Sequence, residues 1–330
     1  MFLIKSISGV RGTIHKDDNK GLSSFEIEKC INQYSLWLKQ YENLKVKKGL
    51  IVLGRDGRVS GDNILSQISD ILIKLKFNVL NLSLTTTPSV QMAIITEKCI
   101  GGIMVSASHN PINWNGLKFL NSEGEFLSKK QSEQFYNIQI NSQKKNESIL
   151  NYGTINYFDY KEKHTSLILN LPDVDVDSIK GKKFKIVVDG INSSGGIFVP
   201  FLLEKLGVEV IKLNCLPNGN FSHNPEPLPN NLTELSDLVI STGADLGIAV
   251  DPDVDRLVFI CEDGSFFGEE YTIVAIAKYI LSNRIGNTVC NLSSSNALKD
   301  ITLSYGGKHF YSPVGEANVI QVMKENNAIF

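Results

Sequence analysis

One order of elements occurs twice along the chain and is begun a third time: strand, helix, strand, helix, strand. This order constrains the fold more than any other feature. Short apolar runs alternating with segments of helical apolar spacing specify an α/β protein with parallel strands. In the first unit the strands are Leu-Ile-Val-Leu-Gly (50–54), Asn-Val-Leu-Asn-Leu-Ser-Leu (78–84) and Gly-Gly-Ile-Met-Val (101–105). Between the first two, Ile64, Ile68, Ile71, Leu72 and Leu75 fall on one helical face. The second unit has strands at 184–188, 208–213 and 246–250. The third has helix 269–281 and strands near 288–292 and 308–312, and its last strand would begin at Ala328-Ile329-Phe330, where the sequence ends. The expectation is a shortened version of a longer protein. Its parts are 1–150, 151–268 with a polar linker over 151–166, and a partial unit over 269–330.

A length of 330 residues suits two or three domains. The formal charge of −2 points to neither nucleic acid nor a membrane surface. No apolar stretch approaches membrane-spanning length, and the N-terminal apolar run is short for a signal peptide. Five scattered cysteines without C-x-x-C spacing read as reduced thiols, so a cytoplasmic setting is expected.

Each complete unit ends its third strand in a polar loop, the place where open α/β sheets put ligands. After 246–250 stands Asp251-Pro252-Asp253-Val254-Asp255-Arg256. Alternate residues of an extended chain point to one side, so the three carboxylates can converge on a hard cation such as Mg²⁺ or Ca²⁺. An EF-hand is excluded because Arg256 stands where the sharp turn needs glycine. A haloacid-dehalogenase-type phosphatase, with Asp251 as nucleophile, stays open. A second D-x-D-x-D, Asp173, Asp175 and Asp177, lies in a connection before a strand and reads as a solvated loop.

After 101–105 comes Ser106-Ala107-Ser108-His109-Asn110-Pro111, followed by Asn115-Gly116-Leu117-Lys118. A serine hydroxyl can carry phosphate covalently when a metal neutralises the charge and a basic group moves protons. With these loops, Ser8-Gly9-Val10-Arg11-Gly12, Gly54-Arg55-Asp56-Gly57-Arg58 and the stretch 223–232, the sequence resembles the α-D-phosphohexomutase family over its whole length. That family contains phosphoglucomutases, phosphomannomutases and phosphoglucosamine mutases. Proline at 252 replaces its usual glycine.

The resemblance implies three successive mixed-sheet α/β units, the third incomplete and a fourth domain absent. It implies interconversion of hexose 6-phosphate and 1-phosphate through a phosphoserine enzyme and a sugar bisphosphate, which also serves as activator. Ser108 would carry the phosphoryl group. Asp251, Asp253 and Asp255, with a phosphoserine oxygen at Ser108, would hold one Mg²⁺. His109, Lys118 and Arg11 would join the chemistry, with the Lys118 pKa lowered by nearby Arg11 and Arg256. Gly9, Arg55, Asn110, Arg256, Gly315 and Glu316 would contact substrate or support the phosphoserine loop, while Gly54 and Gly57 would serve turns. His15, His164, His223 and His309 read as structural. Glucosamine phosphate is the favoured sugar. The alternatives are a mannose or glucose phosphate mutase, and a remnant that binds metal and phosphate without turnover.

Overall fold

The computed structural model describes residues 3–7, 9–14, 20–42, 49–140 and 152–330. Ser8, His15 and residue 151 of the expected linker lie outside them. The first unit contains β1 (Leu3–Ser6), β2 (Gly9–Thr13), α1 (Ser24–Tyr41), β3 (Leu50–Arg55), α2 (Gly61–Lys74), β4 (Asn78–Leu84), α3 (Thr87–Thr96), β5 (Gly101–Val105), β6 (Trp114–Leu120), α4 (Lys129–Tyr136) and β7 (Ile155–Tyr157). Its seven strands run β1-β2-β6-β5-β3-β4-β7. The β5-β3-β4-β7 part is parallel and the β1-β2-β6-β5 part antiparallel, so the sheet is mixed.

Alternation along β3 explains why this sheet is covered on both faces. Ile51 and Leu53 enter one apolar cluster with Ile31, Tyr34 and Trp37 of α1 and Ile68 and Leu72 of α2. Val52 enters the opposite cluster with Val90 and Ile94 of α3. Helix ends are fixed locally. The Ser23 side chain accepts from Glu26 N–H at the start of α1, and Ser128 with Gln131 forms a reciprocal capping box at α4.

The expected linker over 151–166 is corrected by β7 and by the helix that follows it. Val79↔Ile155 and Asn81↔Tyr157 pairing gives β4 a partner on its outer edge, satisfying main-chain groups that would otherwise face solvent. Residues 155–157 therefore extend the first sheet.

The second unit has α5 (Lys161–Leu169), α6 (Val176–Lys182), β8 (Lys185–Asp189), α7 (Gly195–Lys205), β9 (Glu209–Leu213), α8 (Thr233–Thr242), β10 (Leu246–Val250) and β11 (Leu257–Cys261). Its sheet runs β11-β10-β8-β9, parallel except for the antiparallel β10-β11 pair. The third unit has α9 (Glu269–Asn283), β12 (Thr288–Asn291), α10 (Ala297–Ser304), β13 (His309–Ser312) and α11 (Glu316–Glu325). Its two named strands pair in parallel. Ala328 adds a parallel bridge to Asn287, and Val289 N–H donates to Phe330 O at 2.8 Å, so strand pairing continues where a further strand was expected.

Candidate active site

The adjacency of β5, β3 and β4 brings three loops together at the carboxyl edge of the first sheet. These are Ser106–Ser108 after β5, Asp56–Arg58 after β3 and Thr85–Thr87 around the end of β4. The loop after β10 faces them from the second unit. Ser108 Oγ donates to Asp251 Oδ2 at 2.6 Å, joining the two units at the two residues the sequence singles out. Ser108 is 2% exposed and Asp251 fully buried. Ser108 has φ +49°, a left-handed conformation that serine adopts only when surroundings enforce it, and such strain collects at functional sites.

The enforcing scaffold is Asp56 and Arg58. Ser106 Oγ donates to Asp56 Oδ2 at 2.7 Å and accepts Ser108 N–H at 2.8 Å. Arg58, 1% exposed, donates to Asp56 Oδ2 and to the main-chain oxygens of Ser108, Asn110, Pro111 and Trp114. Its guanidinium also lies 4.9 Å from the Phe221 ring centre of the second unit. The expectation that Arg55 supports this loop is corrected. Arg55 Nε and Nη2 make a two-pronged pair with Asp62 at 2.7 and 2.9 Å, tying β3 to the first turn of α2. The G-R-D-G-R wording contains the signal for Arg58, but spacing alone does not say which arginine turns inward.

Glycines here serve close approach. A Cβ on Gly9, at φ +111°, would stand 2.1 Å from Leu117 O, and one on Gly57 would stand 2.7 Å from Ser193 Cα across the unit boundary. Gly57 N–H donates to Ser193 Oγ, which itself donates to Pro252 O at 2.6 Å. Gly54 lies against Thr85 and Val90 side chains. The turn role expected of Gly54 and Gly57 is corrected to packing.

Asp251, Asp253 and Asp255 offer carboxylate oxygens that all lie within 4.8 Å of one another. Val254 between them is left-handed at φ +63°. Asp251 Oδ1 accepts the N–H groups of Asp255 and Arg256, both at 3.1 Å, which curls the loop around that carboxylate. Burial, then the Asp253 and Asp255 charges, hold the Asp251 pKa well above the usual carboxylate range. Burial alone would push Asp253 the same way, but the Lys118 ammonium and the Thr87 hydroxyl bring it below its ordinary value. Oxygen-only donors suit a hard divalent cation, and Asp253 Oδ1 is buried with no hydrogen-bond partner, so the residues present fit such an ion.

Lys118 corrects another expectation. Its ammonium donates to Asp253 Oδ2 and Asp255 Oδ2, each at 2.6 Å. Burial would lower its pKa, but Asp253, Asp255 and Asp251 outweigh this and raise it above the ordinary lysine value. Opposite charge governs this lysine, not the like charge of Arg11 and Arg256.

His109 Nδ1 is 3.3 Å from Ser108 Oγ, and its Nε2 is 3.4 Å from Glu226 Oε2. Glu226 also pairs with Arg256. Burial, then the Arg256 charge, lowers the His109 pKa. Arg11 Nη1 approaches Asn110 Oδ1 at 3.4 Å. Glu316 accepts from Gln91 Nε2 at 3.0 Å in an exposed contact. Gly315, at φ +120°, precedes it as the α11 cap. The geometry thus brings Ser108, His109, Lys118, Arg11, Asn110 and Arg256 to one junction of the first and second units, with Glu316 of the third close enough to feel the Asp255 charge. Asp56, Arg58, Thr87 and Glu226 were not foreseen. Glu226 lies in the 223–232 stretch, flanked by prolines that gave no hint of its direction.

The other D-x-D-x-D is structural. Asp175 caps α6, accepting from Ser178 N–H at 3.0 Å and Ser178 Oγ at 2.7 Å, while Asp173 pairs with Arg284. His164 meets Ser89 Oγ, His223 bridges Asp189 and Asn224 O, and His309 lies between Thr288 Oγ1 and Cys290 Sγ. Among the described residues no helix is long and apolar enough to cross a membrane.

Comparison with known proteins gives three consecutive family matches. They are domains I, II and III, each described as alpha/beta/alpha, of phosphoglucomutase/phosphomannomutase, over residues 4–146, 162–264 and 268–330. A phosphoglucomutase/phosphomannomutase of Thermococcus kodakarensis is 34% identical over 287 residues, 85% of this chain and 62% of that protein. A probable phosphoglucosamine mutase of Methanopyrus kandleri is 32% identical over 286 residues, 86% of this chain and 62% of the relative. The chain thus spans about 62% of the length of these curated relatives. In fold, it matches a phosphoglucomutase/phosphomannomutase family protein of Burkholderia thailandensis with TM-score 0.79, at 23% identity, covering 98% of this chain and 70% of that one.

Proposed function

The chain belongs to the phosphoglucomutase/phosphomannomutase family, and from that premise we propose that it interconverts hexose 6-phosphate and hexose 1-phosphate by way of a phosphoserine at Ser108 and a sugar bisphosphate. The observation that carries this reading is the 2.6 Å contact of Ser108 Oγ with Asp251, at the meeting of two loops from different units. Phosphoryl transfer is mostly positioning and charge neutralisation, and both are built into this junction.

Asp251, Asp253 and Asp255, with a phosphate oxygen on Ser108, would hold one Mg²⁺. When bound, that ion would neutralise charge on the transferring phosphoryl group. Arg11 and Arg256 would face the phosphate. Ser108 passes its phosphoryl group to a sugar hydroxyl, whose proton must leave as the O–P bond forms, and receives the other phosphate back from the bisphosphate. His109, whose pKa is lowered, is suited to accept a proton. Lys118, held protonated by its carboxylate partners, is suited to stabilise negative charge. Asn110, Gly315 and Glu316 would contact the sugar, and the sugar bisphosphate would act as activator. Glucosamine phosphate is the proposed sugar, in keeping with the names of several relatives, with mannose and glucose phosphates as competitors. A cytoplasmic setting fits a sugar phosphate substrate, without nucleic acid or membrane as partner.

The phosphatase alternative asks Asp251 to attack phosphorus. Both its oxygens already accept hydrogen bonds, one from Ser108 Oγ and the other from the Asp255 and Arg256 N–H groups, so neither is free to approach phosphorus. The test is peptide mapping of protein isolated from cells, followed by incubation with glucose 1,6-bisphosphate. Acid-stable phosphate on Ser108 is expected. A hydroxylamine-labile acyl phosphate on Asp251 would favour the phosphatase instead.

A further inference from the structure

We propose that Thr87 is a positioning residue for the cation centre: it holds one oxygen of Asp253 from the neighbouring unit and so turns the other oxygen toward the metal. The inference rests on the reading of Asp251, Asp253 and Asp255 as ligands of a divalent cation.

Asp253 is fully buried, yet its two oxygens are treated unequally. Oδ2 receives the Thr87 hydroxyl and the Lys118 ammonium. Oδ1 receives nothing and is just as buried. A buried carboxylate oxygen without a donor is costly, and a cation at this cluster would remove that cost. Two donors on one oxygen fix the rotation of the carboxylate, which is how outer groups orient a metal ligand. Thr87 also grips the loop by its main chain, donating N–H to Asp253 O at 2.9 Å.

Thr87 is itself held firmly. It is 1% exposed and opens α3, so the positive end of that helix lies beside the Asp253 charge. Thr86 caps the helix, accepting from Ser89 N–H at 3.1 Å. Ser89 Oγ then bonds Thr86 Oγ1 at 2.8 Å and His164 Nδ1 at 2.7 Å. This chain of contacts runs from α5 to the mouth of α3 and ends at Asp253. Since Thr87 belongs to the first unit and Asp253 to the second, cation affinity depends on how well the two units are docked.

The experiment is Mg²⁺ titration by calorimetry on the intact chain and three variants, with melting curves in the presence and absence of Mg²⁺. Thr87→Val keeps the shape and loses the donor; it should weaken Mg²⁺ binding roughly ten- to a hundredfold. Its Mg²⁺-induced rise in Tm should shrink at a given Mg²⁺ concentration, because a ligand of the folded state stabilises it by an amount that grows with the logarithm of one plus the ratio of ligand concentration to Kd. Thr87→Ser keeps the hydroxyl and should restore both quantities, an outcome that a purely packing role for the methyl group would not give. Asp253→Asn is the control for the cation reading. If it loses Mg²⁺ while Thr87→Val binds as tightly as wild type, Thr87 does not position the ligand. Should Thr87→Val fail to fold, Thr87→Ser decides alone: a tenfold loss of affinity there overturns the proposal, and retained affinity upholds it. If Asp253→Asn binds Mg²⁺ like wild type, the cation reading itself is wrong and the proposal falls with it.

Discussion

Asp253 and Asp175 have the same side chain in the same D-x-D-x-D wording, and their surroundings make them opposites. Asp253 is sealed between two units against Lys118 and Thr87, whereas Asp175 lies open at the start of α6 and serves one serine. Asparagine at 175 can still cap, because its side-chain oxygen accepts the same N–H. Asparagine at 253 removes an anionic ligand and leaves Lys118 with one carboxylate partner fewer. Calorimetric Mg²⁺ titration should therefore show affinity falling by roughly tenfold or more in Asp253→Asn, the scale set by perturbing the shell around a metal. Asp175→Asn should change neither Mg²⁺ affinity nor melting temperature. Metal binding lost on changing Asp175 and kept on changing Asp253 would mean that the wrong triplet has been chosen.

The loop from Ser106 to Trp114 is an element without repetitive structure, and one arginine does for it what a ladder does for a strand. Arg58 donates to four carbonyls of this loop, those of Ser108, Asn110, Pro111 and Trp114, and the bond to Ser108 O is fully buried. Replacing it with methionine would strand the buried Ser108 carbonyl and the Asp56 carboxylate, whose pKa burial already raises. Loss of one partner of a buried pair costs about 3–5 kcal/mol, so urea unfolding of Arg58→Met should show a deficit of that order. Arg58→Lys should recover only part, because an ammonium cannot reproduce the planar fork. Arg55→Met, which breaks a pair whose Asp62 side chain is 73% exposed, should cost far less; equal costs would contradict the assignment of the two roles. The same loop marks where reading by sequence stops. Parallel strands and their helices are legible because burial on both faces demands continuous apolar runs such as 101–105. The pairing of β7 with β4 leaves no such trace, since Ile155-Asn156-Tyr157 is short and half polar. Ser108 and the 251–255 aspartates stand out because loops after parallel strands are the expected place for chemistry. Arg58, Thr87 and Glu226 were missed because their roles depend on which way a side chain turns across a gap between elements.

At the scale of the whole molecule, the three units are joined by two different kinds of contact. Between the first and second, buried groups meet at short range: Ser108 with Asp251, Gly57 N–H with Ser193, Lys118 with Asp253. Between the first and third, the polar contacts are solvent-facing. Lys324, 53% exposed, pairs with Glu123 and Glu125, and Gln91 bonds Glu316. Exposed ion pairs contribute little and are screened by salt, whereas buried ones are screened far less. Glu316 opens α11, so the Lys324 pairs at the other end of that helix help to keep Glu316 over the cleft. At about 1 M NaCl, where the screening length falls to about 3 Å, the third unit should loosen from the first while the first and second stay docked. Hydrogen exchange followed by mass spectrometry should then show faster exchange in peptides covering 312–326, with those covering 56–61 and 87–90 unchanged. Lys324→Ala should produce the same pattern at low salt. Exchange that rises equally in all three places, or rises first near Gly57 and Thr87, would mean that the buried junction is the weaker one and that the third unit is held by something other than these charges.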